Sequence, residues 1–119
     1  MALGITASKI DEVMVVHLSG AIYFGEESAS LRLRVKDLLK HSRQIVLDLG
    51  GVTHIDSGGL GTLVGLFTSA RKVGSDVKLA NVGNHPKELL HITKLVTIFE
   101  IFASVEDAAA SFKKIAATT

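Results

Sequence analysis

Short, nearly unbroken apolar runs alternate along this chain with longer segments whose apolar residues recur every three or four positions. "VMVVHLSG", Val13 to Gly20, is β-branched and apolar almost throughout, as a buried central strand should be. "QIVLDLGGV" repeats the pattern with a buried strand over Ile45–Leu49, and "DVKLANV" supplies a third of the same kind. Ile5 to Lys9 reads as a shorter strand before a turn at Ile10-Asp11-Glu12, and Ile98 to Phe102 as a last one. Between the strands lie helical patterns. The first runs from about Glu26 to Lys40, with Leu31, Val35, Leu38 and Leu39 on one stripe and end charges that complement the helix dipole. Gly20 and Gly25 bracket the irregular link "AIYF" before it. The second reaches about Val73 on an inner face of Leu60, Leu63, Val64, Phe67 and Ala70, and Gly74 stops it. Asn84 caps a short third helix with Pro86 in its first turn. Ser104 and Asp107 stand at capping-box-like spacing before a final helix that buries Ala108, Phe112 and Ile115.

Strands alternating with helices predict an α/β layered domain with a mostly parallel sheet. The two neighbouring N-terminal strands, joined by a tight turn, make that sheet mixed. In such folds binding surfaces gather at the carboxyl ends of strands. "HIDSGGLGTLVGLF", His54 to Phe67, lies at one of these ends and places Asp56 and Ser57 at a strand-to-helix junction.

Composition narrows the function. A chain of 119 residues, 47% hydrophobic and 21% charged, suits one folded domain over residues 1–119. A formal net charge of +1, with both signs interspersed, gives no electrostatic reason to expect nucleic acid or an anionic membrane. Cysteine is absent, which removes disulfides and thiolate chemistry. "MALGITASKIDEV" has no apolar run of signal-peptide length, and nothing approaches the ~18 apolar residues of a membrane span, so a cytoplasmic protein is expected. The five histidines, His17, His41, His54, His85 and His91, form no recognisable metal or acid–base spacing. "SGGLG" lacks the lysine of a P-loop, the spacing of a dinucleotide loop and the order of a nucleophile elbow. Neither an enzyme nor a cofactor or metal site is expected.

Two readings of Ser57 remain. Asp56 or Ser57 caps the following helix, contributing about 1 kcal/mol, with Gly58 and Gly59 easing the turn. Alternatively Ser57 is an exposed switch, since a phosphate at a helix N-terminus meets free N–H donors and the positive dipole end. The two are compatible. Gly58, Gly61, Thr62, Gly65 and Ser69 lie off the inner stripe and bare the backbone. They serve either close packing within the domain or a docking groove with Leu66 as its apolar contact.

"IVLDLGGVTHIDSGGLGTLVGLFTSARKVGSDVKLANV" resembles the STAS domains of bacterial anti-sigma factor antagonists, through its D-S-x-G-L-G core and the strands on either side. "LLHITKLVTIFEIFASVEDAAASF" is similar to the C-terminal third of that family. The resemblance implies a STAS-like mixed sheet of four to five strands with about four helices. It also implies partner switching. The unphosphorylated protein would bind an anti-sigma factor that is also a serine kinase, releasing the sigma factor. Phosphorylation of Ser57 would break the complex, and a phosphatase acting on phospho-Ser57 would reset it. Asp56 would orient the acceptor or its reacting partner. Tyr23, Asp56, Gly58, Gly59, Thr62 and Leu66 would belong to the docking surface. Within the same fold, the alternative is a subunit docking constitutively in a transporter or stress-signalling complex. Three positions depart from the family pattern: Tyr23 replaces a frequent acid, Gly58 a frequent Ser or Thr, and Lys94 a usual glycine.

Overall fold

A computed structural model describes residues 3–118, with side chains as far as Phe112. The strands are β1 (Gly4–Ile10), β2 (Val13–Ile22), β3 (Gln44–Ile55), β4 (Asp76–Ala80) and β5 (Ile101–Phe102), and the helices α1 (Glu26–Leu38), α2 (Ser57–Lys72), α3 (Asn84–Ile92) and α4 (Val105–Thr118). The strands form one sheet in the order β1-β2-β3-β4-β5. β1 runs antiparallel to β2, and every other pairing is parallel. The expected mixed α/β sheet is therefore the observed one.

Strand alternation sorts the core into two layers. Val16, Leu18, Ile45, Leu47, Leu49, Val77 and Leu79 point to one face, where they meet Leu31 and Val35 of α1, Leu60, Leu63, Leu66 and Ala70 of α2, and Leu90 of α3. Val13, Val15, Val46 and Ala80 point to the other and pack against Val105, Ala108, Ala109 and Phe112 of α4. Ile115, assigned to the same buried stripe by its spacing, lies outside the residues whose side chains are described.

Several boundaries differ from the sequence pattern for identifiable reasons. β2 does not stop at Gly20. That glycine takes φ 102 at an irregularity in the β2–β3 register, and Ala21 and Ile22 continue the strand. β3 likewise runs past Gly50-Gly51 to Ile55, with Gly51 so close to β2 that a Cβ there would sit 2.8 Å from the Leu18 carbonyl oxygen. The cap of α3 is Gly83, so Asn84 is already helical. The last strand is only Ile101–Phe102, because Leu95–Thr97 winds into a 3₁₀ turn. That turn is entered through Lys94 at φ 62, the left-handed conformation glycine would suit better. Ser104 does cap α4, accepting the Asp107 N–H at 3.0 Å.

Candidate functional site

The parallel strands β2 and β3 end side by side, and their exits build one surface. β2 leads into the loop Tyr23-Phe24-Gly25, and β3 leads through Asp56 into α2. Asp56 has the extended backbone of an N-cap residue, φ −94 and ψ 178, and its Oδ1 accepts the Gly59 N–H at 2.7 Å. The cap is therefore Asp56, not Ser57. The same carboxylate also accepts the Phe24 N–H, with both oxygens at 3.1 Å. Both of its oxygens are thus engaged by backbone, so the side chain ties the β2–α1 loop to the start of α2. On the other side of the loop, the Ser28 hydroxyl donates to the Tyr23 carbonyl at 2.8 Å.

Ser57 occupies the first helical position and is exposed. Beside it, Tyr23 is 42% and Phe24 75% accessible, a large apolar area for a small protein. Phe24 is nevertheless held firmly. Gly58 packs so closely beneath it that an added Cβ would lie 2.4 Å from the Phe24 Cβ. The missing hydroxyl at residue 58 thus has a steric cause in this chain.

The glycines of α2 fall into two classes. Gly59 is buried, and an added Cβ would meet the Ile22 carbonyl oxygen at 2.0 Å. Gly61 and Gly65 have nothing within 4 Å of the same test atom. They form a bare strip of helix backbone beside Ser57.

Three expectations fail at this surface, the first at Gly59, which is buried against the Ile22 carbonyl and so is not an outward contact. Thr62 and Leu66 are 2% and 3% exposed, so neither is an outward contact. The Thr62 hydroxyl donates to the Gly58 carbonyl at 3.0 Å and accepts from Arg32 Nη2 at 3.2 Å, so it joins α2 to α1. Leu66 belongs to the core between sheet and helices, while Val64 and Phe67 are only partly buried. The buried arc of α2 is rotated toward α1 because α1 covers its flank. Phe24, by contrast, went unmarked in the sequence, where it reads as the end of an apolar link.

Elsewhere, His54 and His85 form a tilted ring pair with centroids 5.2 Å apart. Among the described residues, no group of three or more His, Cys, Asp or Glu is placed to hold a metal ion. No described helix is long and apolar enough to cross a membrane.

Comparison with known proteins gives a consistent picture. A family model described as the STAS domain matches residues 4–108. A Bordetella bronchiseptica protein named as an anti-sigma factor antagonist, BtrV, is 29% identical over 109 residues, covering 92% of this chain and 94% of that protein. The anti-sigma-B factor antagonist of Bacillus subtilis is 34% identical over 76 residues, covering 64% of this chain and 70% of the other. Among solved structures, an anti-sigma factor antagonist from Mycobacterium paratuberculosis superposes with a TM-score of 0.80 at 22% identity, covering 92% of this chain and 93% of that one.

Proposed function

The chain belongs to the STAS domain family, and from that premise we propose that it is an anti-sigma factor antagonist switched by phosphorylation of Ser57. The observation that carries the reading is the division of labour at the β3–α2 junction. Asp56 satisfies the helix end, so the exposed Ser57 is not needed as a cap and is open to modification. Two relatives named for this role match the chain in sequence, which supports the assignment of partner class.

In the unmodified state the partner is an anti-sigma factor with serine kinase activity. It docks over Ser57, Tyr23 and Phe24 and against the open backbone at Gly61 and Gly65. Phe24 supplies the apolar anchor, pre-positioned by Asp56 and Gly58 and so losing little freedom on binding. Transfer of phosphate to the Ser57 hydroxyl adds about −1.5 to −2 charges at neutral pH. Free in solution, that charge is tolerated at the helix N-terminus. Under a partner shaped for a neutral surface it becomes a desolvated anion beside the Asp56 carboxylate. Each 1.4 kcal/mol of resulting repulsion weakens binding about tenfold, so a few kcal/mol releases the partner. A phosphatase removing the group from phospho-Ser57 restores docking. The chain itself performs no chemistry in this cycle and acts within the cytoplasm.

The test pairs the purified chain with the anti-sigma kinase of its own cell and magnesium ATP. Intact mass should show one added phosphate, absent in Ser57→Ala, and Ser57→Asp should bind the kinase at least about a hundredfold more weakly. Phosphate uptake that survives Ser57→Ala would overturn the assignment. Binding indifferent to Ser57→Asp would instead mean constitutive docking, as in a scaffold or transporter complex.

A further inference from the structure

The sheet face that α4 covers only in part carries a polar cluster remote from the surface of α1 and α2. Ser8 of β1 pairs in register with Val15 of β2, and His17 of β2 with Asp48 of β3. Val15 and Val46 pack under α4, so alternation puts Ser8, His17 and Asp48 on that same face. Ser8 Oγ lies 2.8 Å from His17 Nε2, and His17 Nδ1 lies 2.7 Å from Asp48 Oδ2. The far oxygen of Asp48 accepts the Gly50 N–H at 2.9 Å and Asn81 Nδ2 at 3.0 Å. Asn81 reaches it from a left-handed backbone, φ 55, just beyond the end of β4.

These contacts determine where the protons are. Burial alone would raise the Asp48 carboxyl, but hydrogen bonds from Asn81, the Gly50 N–H and His17, with the charge of His17, outweigh it and hold the group below its usual value. At neutral pH Asp48 is therefore a carboxylate and only accepts. In the neutral form of the ring, Nδ1 carries the proton donated to Asp48 and Nε2 is the acceptor facing Ser8. The Ser8 O–H then donates to Nε2. Hydroxyl, base and orienting acid stand in the order of an activated nucleophile. The His17 side chain is 40% accessible and Asp48 17%, and Ser8 is exposed on the edge strand, so the cluster is open to solvent on the hydroxyl side.

We propose that Ser8 is a base-assisted acceptor of acyl groups from small activated esters. Ser8 Oγ attacks the carbonyl carbon, forming an O–C bond while its proton passes to His17 Nε2. The bond to the leaving alcohol breaks, and the alcohol takes that proton from His17. The products are an acyl ester on Ser8 and the free alcohol; water entering by the same route releases the carboxylic acid and restores the serine. An open sheet surface suits small donors rather than an enclosed substrate. General-base assistance of this kind accelerates transfer by about 10²–10⁴. The reading is independent of the role given to Ser57.

The experiment treats the intact chain with p-nitrophenyl acetate and follows acetylation of individual serines by peptide mass mapping. Ser8 should be acetylated at least about a hundredfold faster than the exposed Ser19, Ser30 and Ser69, an internal comparison that needs no variant. His17→Gln should bring Ser8 down to the level of the other serines, with the fold checked by circular dichroism. Acetylation of Ser8 no faster than the comparison serines, or equally fast in folded His17→Gln, would overturn the proposal.

Discussion

Alanine at Gly59 and at Gly61 should move stability in opposite directions, although the two sites are neighbours in one helix. On helix propensity alone each substitution gains about 1 kcal/mol. At Gly61 nothing lies within 4 Å of the new methyl, so that gain should appear undiminished. At Gly59 the methyl would stand 2.0 Å from the Ile22 carbonyl oxygen and 3.0 Å from Ile55 Cγ2. Favourable contacts of carbon lie near ~3.5 Å, so the end of β2 must retreat by more than about 1 Å. Overpacking costs about 1–3 kcal/mol where side chains can give way, and a backbone carbonyl puts this case at the upper end. The displaced carbonyl is also the acceptor of the Asp56 N–H at 3.4 Å, a bond worth about 1 kcal/mol. Net destabilisation by Gly59→Ala is then about 2–3 kcal/mol, against a gain of about 1 kcal/mol for Gly61→Ala. Urea unfolding followed by far-ultraviolet circular dichroism measures both. With a slope of about 1–3 kcal/mol per molar urea, the midpoints should separate by at least about 1 M. Equal midpoints, or two shifts of the same sign, would refute the close approach of α2 to β2.

Three further outcomes follow from the same geometry. The Asp48 carboxyl is held below its usual value of 3.8, so its contribution to stability is full above that pH and fades as pH falls through the lower folded value; Asp48→Asn should flatten this part of an acid unfolding curve. Lys78 is 0% exposed, with Nζ 2.7 Å from Ser111 Oγ, 3.5 Å from Glu100 and 4.2 Å above the Phe112 ring. Lys78→Met, which keeps the volume and removes the buried charge, should leave the denaturation midpoint unchanged or raise it, whereas Lys78→Ala should cost about 2–4 kcal/mol through the cavity it leaves. Lys94→Gly should stabilise by about 1 kcal/mol in the same assay, because it relieves a side chain from the left-handed region at φ 62.

The elements most legible in the sequence were those whose packing is local in pattern. β-branched runs marked β2, β3 and β4, and the Asp-Ser-Gly-Gly junction marked the start of α2 within a residue. Glycines misled wherever they relieve contacts between strands. Gly20 reads as a stop, yet it lets β2 bend and continue, a role visible only once β3 lies alongside. Leu66 and Thr62 were misplaced because a helical wheel assumes one buried side, while α2 is covered by both the sheet and α1. Ser8, His17 and Asp48 could not be associated at all from spacing. Their meeting depends on the register of three strands, with 31 residues separating His17 from Asp48.

The contact between Phe24 and Gly58 also restricts how this protein can change. A hydroxyl-bearing residue at 58 would push its Cβ to 2.4 Å from that of Phe24. Because the nearest atom is the Phe24 Cβ itself, residue 24 must first become glycine before such a replacement is accommodated on this backbone. The two changes are therefore acceptable in one order and damaging in the other, a dependence of one mutation on another. A variant library covering both positions at once will reach sequences that stepwise selection from this starting point does not.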